Sequence, residues 1–241
     1  MTETSPPGWH TSITRLGGEL VVIIVGVLIA LWADGWVQSR AEVRTEASRI
    51  VALGDNVDAT RERLAVALLD AEEADRALRE IARWEAAPEL VGEAEQTLIS
   101  ALLFGPSFTP EVNVYMDLKS SGDLALLRSS DLRQALARMD ASLEQLQFLQ
   151  ADLITVQQLN YDPFVIENLS LSRGFAEYLG VEEVPSSLPS NPLDPILVRN
   201  LALFKLDLVR QLIRQLNVTD EALVAVDEAL ARGQAFSAGS T

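Results

Sequence analysis

From Leu20 to Ala33 fourteen residues (LVVIIVGVLIALWA) run without a charge. With Leu16–Glu19 and Asp34–Trp36 added, the stretch makes about 31 Å of helix, the thickness of a bilayer core. Trp32 and Trp36 suit an aromatic belt at the C-terminal interface. A cleaved leader wants a basic head and small residues at its exit, whereas this head carries only Arg15 and the exit reads Leu31-Trp32-Ala33. The pattern predicts a disordered head over 1–15 and a retained transmembrane anchor over 16–37.

Beyond the anchor, apolar residues recur at steps of three and four. The first long helix is predicted from Val37 to Ala86, with Ile50, Leu53, Val57, Leu64, Leu68, Ala71, Ala74, Leu78 and Ile81 on its inner stripe; Pro88 ends it. Only Gly35 interrupts its continuity with the anchor. A shorter helix follows from Val91 to Phe104, closed by Gly105-Pro106. Thr109-Pro110-Glu111 reads as a helix start, and Ser121-Gly122 as its left-handed stop. Ser130 is the predicted cap of the next long helix, striped by Leu132, Leu136, Met139, Leu143, Leu146, Leu149, Leu153 and Val156; Pro163 kinks or ends it. Four prolines, at 185, 189, 192 and 195, mark the main loop over 172–195. Asp194-Pro195 opens the last helix. Its inner side is read as Leu197, Leu201, Phe204, Leu208, Leu212, Leu216, Leu223, Val226 and Leu230, with Asn217-Val-Thr-Asp a candidate break. The expected fold is all-α: an N-terminal transmembrane helix continuing into an up-and-down bundle of long helices over 38–232, then a frayed tail over 233–241.

On a helical wheel Glu19, Ile23, Gly26, Ala30, Ala33 and Val37 fall within about 40° of one line. Gly26 and Ala30 form a small-xxx-small pair that lets two helix backbones approach closely, so this face is the expected packing surface of a homo-oligomer. Glu19 either faces protein or water there, or sits at the head groups and snorkels. The flanks carry Arg15 on one side and Arg40, Arg44 and Arg49 on the other, a count that favours a cytoplasmic bundle.

Composition narrows the chemistry. The chain of 241 residues has no cysteine, one histidine (His10, in the head) and a net charge of −16. Disulfides, thiol catalysis, a Ser–His–Asp triad and His-based metal sites have no residues to build them. Nucleic acid wants a basic face and is not an expected partner. No cofactor is expected, since no Gly-rich phosphate loop or dinucleotide fingerprint is present. The acid clusters Asp70-Glu72-Glu73-Asp75 and Glu182-Glu183 read as solvated outer faces rather than metal or catalytic groups. Tyr115, Phe148, Tyr161, Phe164, Phe175 and Tyr178 read as core fillers.

Two segments resemble an uncharacterised bacterial single-pass membrane-protein family (domain of unknown function 6090). One is Gly18–Trp36, with Glu19 and the run Val25–Leu31 (VGVLIAL). The other is Tyr115–Leu127 (YMDLKSSGDLALL), followed by Leu132-Arg133 and Ala135-Leu136, similar to the family's Ser-Gly turn between two helices. The resemblance covers about the first 140 residues and implies topology rather than activity. It places the bundle outside the cytoplasm, in the periplasm of a bacterial inner-membrane protein, although the family's head is often more basic than this one. From the residues alone, Ser120, Ser121 and Gly122 read first as a helix cap and tight turn, and second as a docking corner.

Three function classes follow. The first is a membrane-tethered, self-associating interaction or scaffold protein, whose partners are the lipid bilayer, further copies of itself and an unidentified membrane or periplasmic protein. The second is a subunit of a pore or transport assembly in which Glu19 faces a polar path. The third, an enzyme using carboxylates, is disfavoured by the missing histidines, and the expectation is that the protein is not an enzyme.

Overall fold

The computed structural model describes Trp32 and residues 48–84, 93–169 and 193–238. The chain divides into two units, Met1–Val51 and Ala52–Thr241, and nearly all described residues belong to the second. They form α1 (48–82), α2 (Glu93–Leu103), α3 (Asn113–Ser121), α4 (Ser130–Val156), α5 (Asp162–Asn168) and α6 (Pro195–Ala238). A 3-10 turn, Asp123–Leu126, follows α3, and a π-helical turn, Gln157–Tyr161, joins α4 to α5. The described residues include no strand. Among them no helix is long and apolar enough to cross a membrane. The predicted anchor lies outside them, apart from Trp32, which is helical and exposed.

The bundle rests on unbroken three-four repeats. In α6 the buried residues Val198, Ala202, Lys205, Val209, Leu212, Leu216, Thr219, Leu223, Val226 and Leu230 step by four and three, and Leu206, Ala222 and Ala229 widen the buried face. In α1 the buried set includes Leu53, Val57, Thr60, Leu64, Ala67, Ala71, Leu78 and Ile81. This spacing keeps a continuous stripe of each helix turned toward its neighbours. The two helices run antiparallel. Arg61 meets Asp227 at 2.8 Å, Arg210 meets Asp75 at 2.8 Å, and Arg199 donates to the Trp84 carbonyl. α4 also opposes α6, since Gln215 donates to the Ser142 carbonyl and Lys205 to Gln157. The return arm between α1 and α4 is α2 and α3, so the four arms alternate in direction.

That return arm departs from expectation at the start of its second helix. Thr109-Pro110-Glu111 does not start a helix; α3 begins at Asn113, and its N-cap, Val112, has no side chain that can cap. The cap comes from a distance. Asn56 Oδ1 accepts from the Val114 amide at 3.0 Å. Thr60 Oγ1, buried, donates to the Glu111 carbonyl at 2.7 Å and accepts from the Glu111 amide at 3.1 Å. Arg63 reaches the Glu111 carboxylate at 2.5 Å. Asn56, Thr60 and Arg63 are one helical face, so α1 supplies polar partners that the irregular stretch cannot supply itself.

Other signals resolve by small shifts. The α4 cap is Ser129, one residue before the expected Ser130; its hydroxyl accepts from the Leu132 amide. Gly122 takes φ 79°, the left-handed conformation expected at the end of α3. At Pro163 the helical path does not stop: α4 ends at Val156, and the chain continues through the π-turn into α5. A proline has no N–H and crowds the carbonyl four residues before it, and the preceding π-turn absorbs this with the Asp162 amide bonding back to the Gln157 carbonyl. Asn217-Val-Thr-Asp does not break α6. Asn217 and Thr219 each bond the carbonyl four residues back, which occupies the polar side chains within the helix. α6 runs to Ala238, within the stretch read as a tail.

Replacing Thr60 by Val keeps the volume but leaves both Glu111 backbone groups without their partner. The expected cost is about 1–3 kcal/mol of stability, with Thr60→Ser much closer to the parent, measured by thermal unfolding of the full-length protein. A Val variant as stable as the parent would remove this bond pair from the account of the fold.

Candidate functional site

The last carbonyls of α2 have no partners within the helix, because Gly105-Pro106 stops the chain from continuing it. Lys205 of α6 takes them. Its Nζ donates to the Leu102 carbonyl at 2.6 Å, the Phe104 carbonyl at 3.0 Å and Gln157 Oε1 at 2.9 Å. These three acceptors match the three N–H groups of an ammonium. Gln157 in turn donates from Nε2 to the Leu102 carbonyl at 2.8 Å and to Asp162 Oδ1 at 2.7 Å. The π-turn carries both Gln157 and Tyr161. The Tyr161 ring centroid lies 5.0 Å from Nζ, a cation–π distance, and its hydroxyl donates to the Leu201 carbonyl.

Only 1% of Lys205 is exposed. Burial pushes its ammonium down to about 7, against the attraction of the Asp162 carboxylate. Burial also raises the Tyr161 hydroxyl well above its ordinary range. An amine that loses its proton near neutrality is a potential nucleophile toward carbonyl groups. Here its N–H groups are bound to the fold, so the group acts as a clamp between α2, the π-turn and α6.

Above this knot lies a cleft of about 550 Å³. Phe104, Leu153, Ile154 and Ile166 give its apolar walls, and Ser107, Gln150, Gln157, Gln158, Asp162 and Lys205 its polar groups. Phe104 is 53% exposed, Ile154 58% and Ile166 68%.

The other polar features lie apart from it. The packing face Glu19, Ile23, Gly26, Ala30 and Ala33 lies outside the described residues, as do Glu182, Glu183, Phe175 and Tyr178. Ser120 and Ser121 turn their hydroxyls back to the Asp117 and Leu118 carbonyls, and with Gly122 they line neither this cleft nor its neighbour. The acid cluster divides. Asp70, Glu72 and Glu73 are exposed, but Asp75 is buried, pinned by Arg79 and Arg210, which corrects its assignment to an outer face. Phe148 is also a correction: it is 66% exposed, whereas Tyr115, Tyr161 and Phe164 are in the core. No group of residues suited to a metal occurs among the described residues.

No family model, no curated protein and no solved structure matches the chain. The likeness to the bacterial membrane-protein family therefore stands on the residues quoted for it alone.

Sequence reasoning passed over Lys205 because it followed leucines. The stripe Leu197, Leu201, Phe204, Leu208, Leu212 contains two successive steps of four and drifts off the seam; Leu197 and Phe204 are 44% and 51% exposed. Strict alternation backwards from Leu216 would have placed Lys205 inside.

Because the folded protein releases the Lys205 proton near pH 7 while an unfolded lysine holds it to about 10.4, the unfolded chain binds more protons between those values. Stability from this group therefore rises with pH across that window. The melting temperature of the parent should climb relative to Lys205→Met between pH 7 and 10, and the two should run parallel below pH 6.5. Parallel curves throughout would mean the ammonium is not destabilised by burial.

Proposed function

We propose that the protein is a membrane-anchored, self-associating helical interaction or scaffold protein of the bacterial inner membrane, with its bundle in the periplasm. One observation carries the reading for the bundle. At the cleft over Lys205, the ammonium, Gln157 and Asp162 are bonded to one another and Gln150 to the Phe108 carbonyl, while Phe104, Ile154 and Ile166 turn apolar surface to solvent. A reaction centre needs polar groups with bonding capacity directed at a substrate. A docking surface needs exposed apolar anchors on a rigid support. The bundle has the second arrangement.

The anchor is supported by the uncharged run Leu20–Ala33 and the small residues along one face of it. The periplasmic side is supported by the family resemblance, against the arginine count of the flanks. Self-association then draws on close backbone approach at Gly26 and Ala30, because lipid is as apolar as leucine and offers no hydrophobic advantage to burial.

The protein should remain in membranes after carbonate extraction; a soluble product starting near Asp34 would sink the anchor. In a membrane two-hybrid reporter, Gly26→Leu should weaken association of the anchor and Val21→Gly, on the opposite face, should not. The reverse pair would show that the small-residue face is not the interface. Alkaline phosphatase fused after Ser237 should be active, and an inactive fusion beside an active cytoplasmic reporter would reverse the topology.

A further inference from the structure

Phe104–Ser107 is a ridge between two clefts, and its four residues line both. On one side is the apolar cleft over Lys205. On the other is a cleft of about 530 Å³ formed by α1 and α2, into which Asp70 and Glu73 bring carboxylates. No Arg or Lys lines that second cleft. Neither carboxylate has a cationic partner among the described residues. The apolar anchors and the uncompensated charges thus lie a single ridge apart.

We propose that the two clefts form one docking site for a basic amphipathic helix of a partner protein. Its apolar side chains enter between Ile154 and Ile166, and its lysines or arginines face Asp70 and Glu73. The inference rests on the reading of the bundle as an interaction module. Charge complementarity selects the occupant. A second copy would bring its own share of a −16 chain against these carboxylates, and like charges at contact are costly. A helix with one apolar and one cationic face meets both clefts at once, the mode by which amphipathic helices fill apolar grooves. The polar knot beneath is already saturated, so it supports the groove without needing bonds from the partner.

The test uses the full-length protein in nanodiscs of zwitterionic lipid, with empty discs measured in parallel. The probe is a fluorescent peptide of about 18 residues, five helical turns, with leucines on one face and lysines on the other. Binding should be saturable and should weaken with salt. Ile154→Ser with Ile166→Ser should raise the Kd about tenfold. Asp70→Asn with Glu73→Gln should raise it about threefold and flatten the salt dependence. All four side chains are exposed or line an open cleft, so the folds of the variants should survive, which circular dichroism checks. Equal binding by both variants would overturn the proposal, as would equal binding of the same residues in scrambled order. Concentration-dependent dimerisation of the discs that is lost in the isoleucine variant would assign the site to a second copy and overturn it as well. Carbonate retention of each variant is scored separately, so loss of the docking site is distinguishable from loss of the anchored topology.

Discussion

Between Leu102 and Val114 the backbone is mostly not helical, yet it runs along a bundle whose other described arms, α1, α4 and α6, are long helices. Its amides and carbonyls must find partners, since an unpaired buried backbone group costs about 1–3 kcal/mol. Side chains of three helices provide them. Asn56 and Thr60 come from α1, Gln150 from α4 and Lys205 from α6, with Gln157 added from the π-turn. Together these bonds join three arms to the return segment, so the order of the arms and their register are settled together.

Lys205 makes two of those bonds and, as an ammonium, carries the largest desolvation penalty among these side chains. A charge withdrawn from water is costly unless it is fully hydrogen-bonded. Three acceptors, an aromatic face and the negative end of α2 offset that cost here. Because those partners exist at one place only, sliding α6 by one turn would bury the ammonium without them. The lysine thus discriminates against wrong registers that an all-leucine seam would accept, in the way a single polar residue does in a coiled coil. Arg210 with Asp75, and Arg61 with Asp227, add the same discrimination between α6 and α1.

The same device shapes the surface. Holding Phe104 and its neighbours by their backbone leaves the Phe104 side chain at the rim and opens a cleft on either side of it. The π-turn belongs to this arrangement. Its wider winding accommodates Pro163 and sets Gln157 and Tyr161 where they meet Lys205. The cleft floor is thus held by saturated polar contacts from several elements.

Much of this was legible in the residues. Three-four spacing determined that the described chain is helical, where α1, α4 and α6 lie, and that Gly122 ends α3, because local sterics and apolar periodicity act within a few residues. The missing cysteines and the lone His10 likewise settled which chemistries lack their residues. The tertiary structure decided the rest. Whether Thr60, Asp75 and Lys205 face water or the core, which stripe of α6 is the seam, and that α3 takes its cap from Asn56 all depend on groups remote in sequence. A lysine at a seam position has no local signal that distinguishes it from a defect. It becomes the better choice only when another helix ends beside it with its carbonyls unpaired.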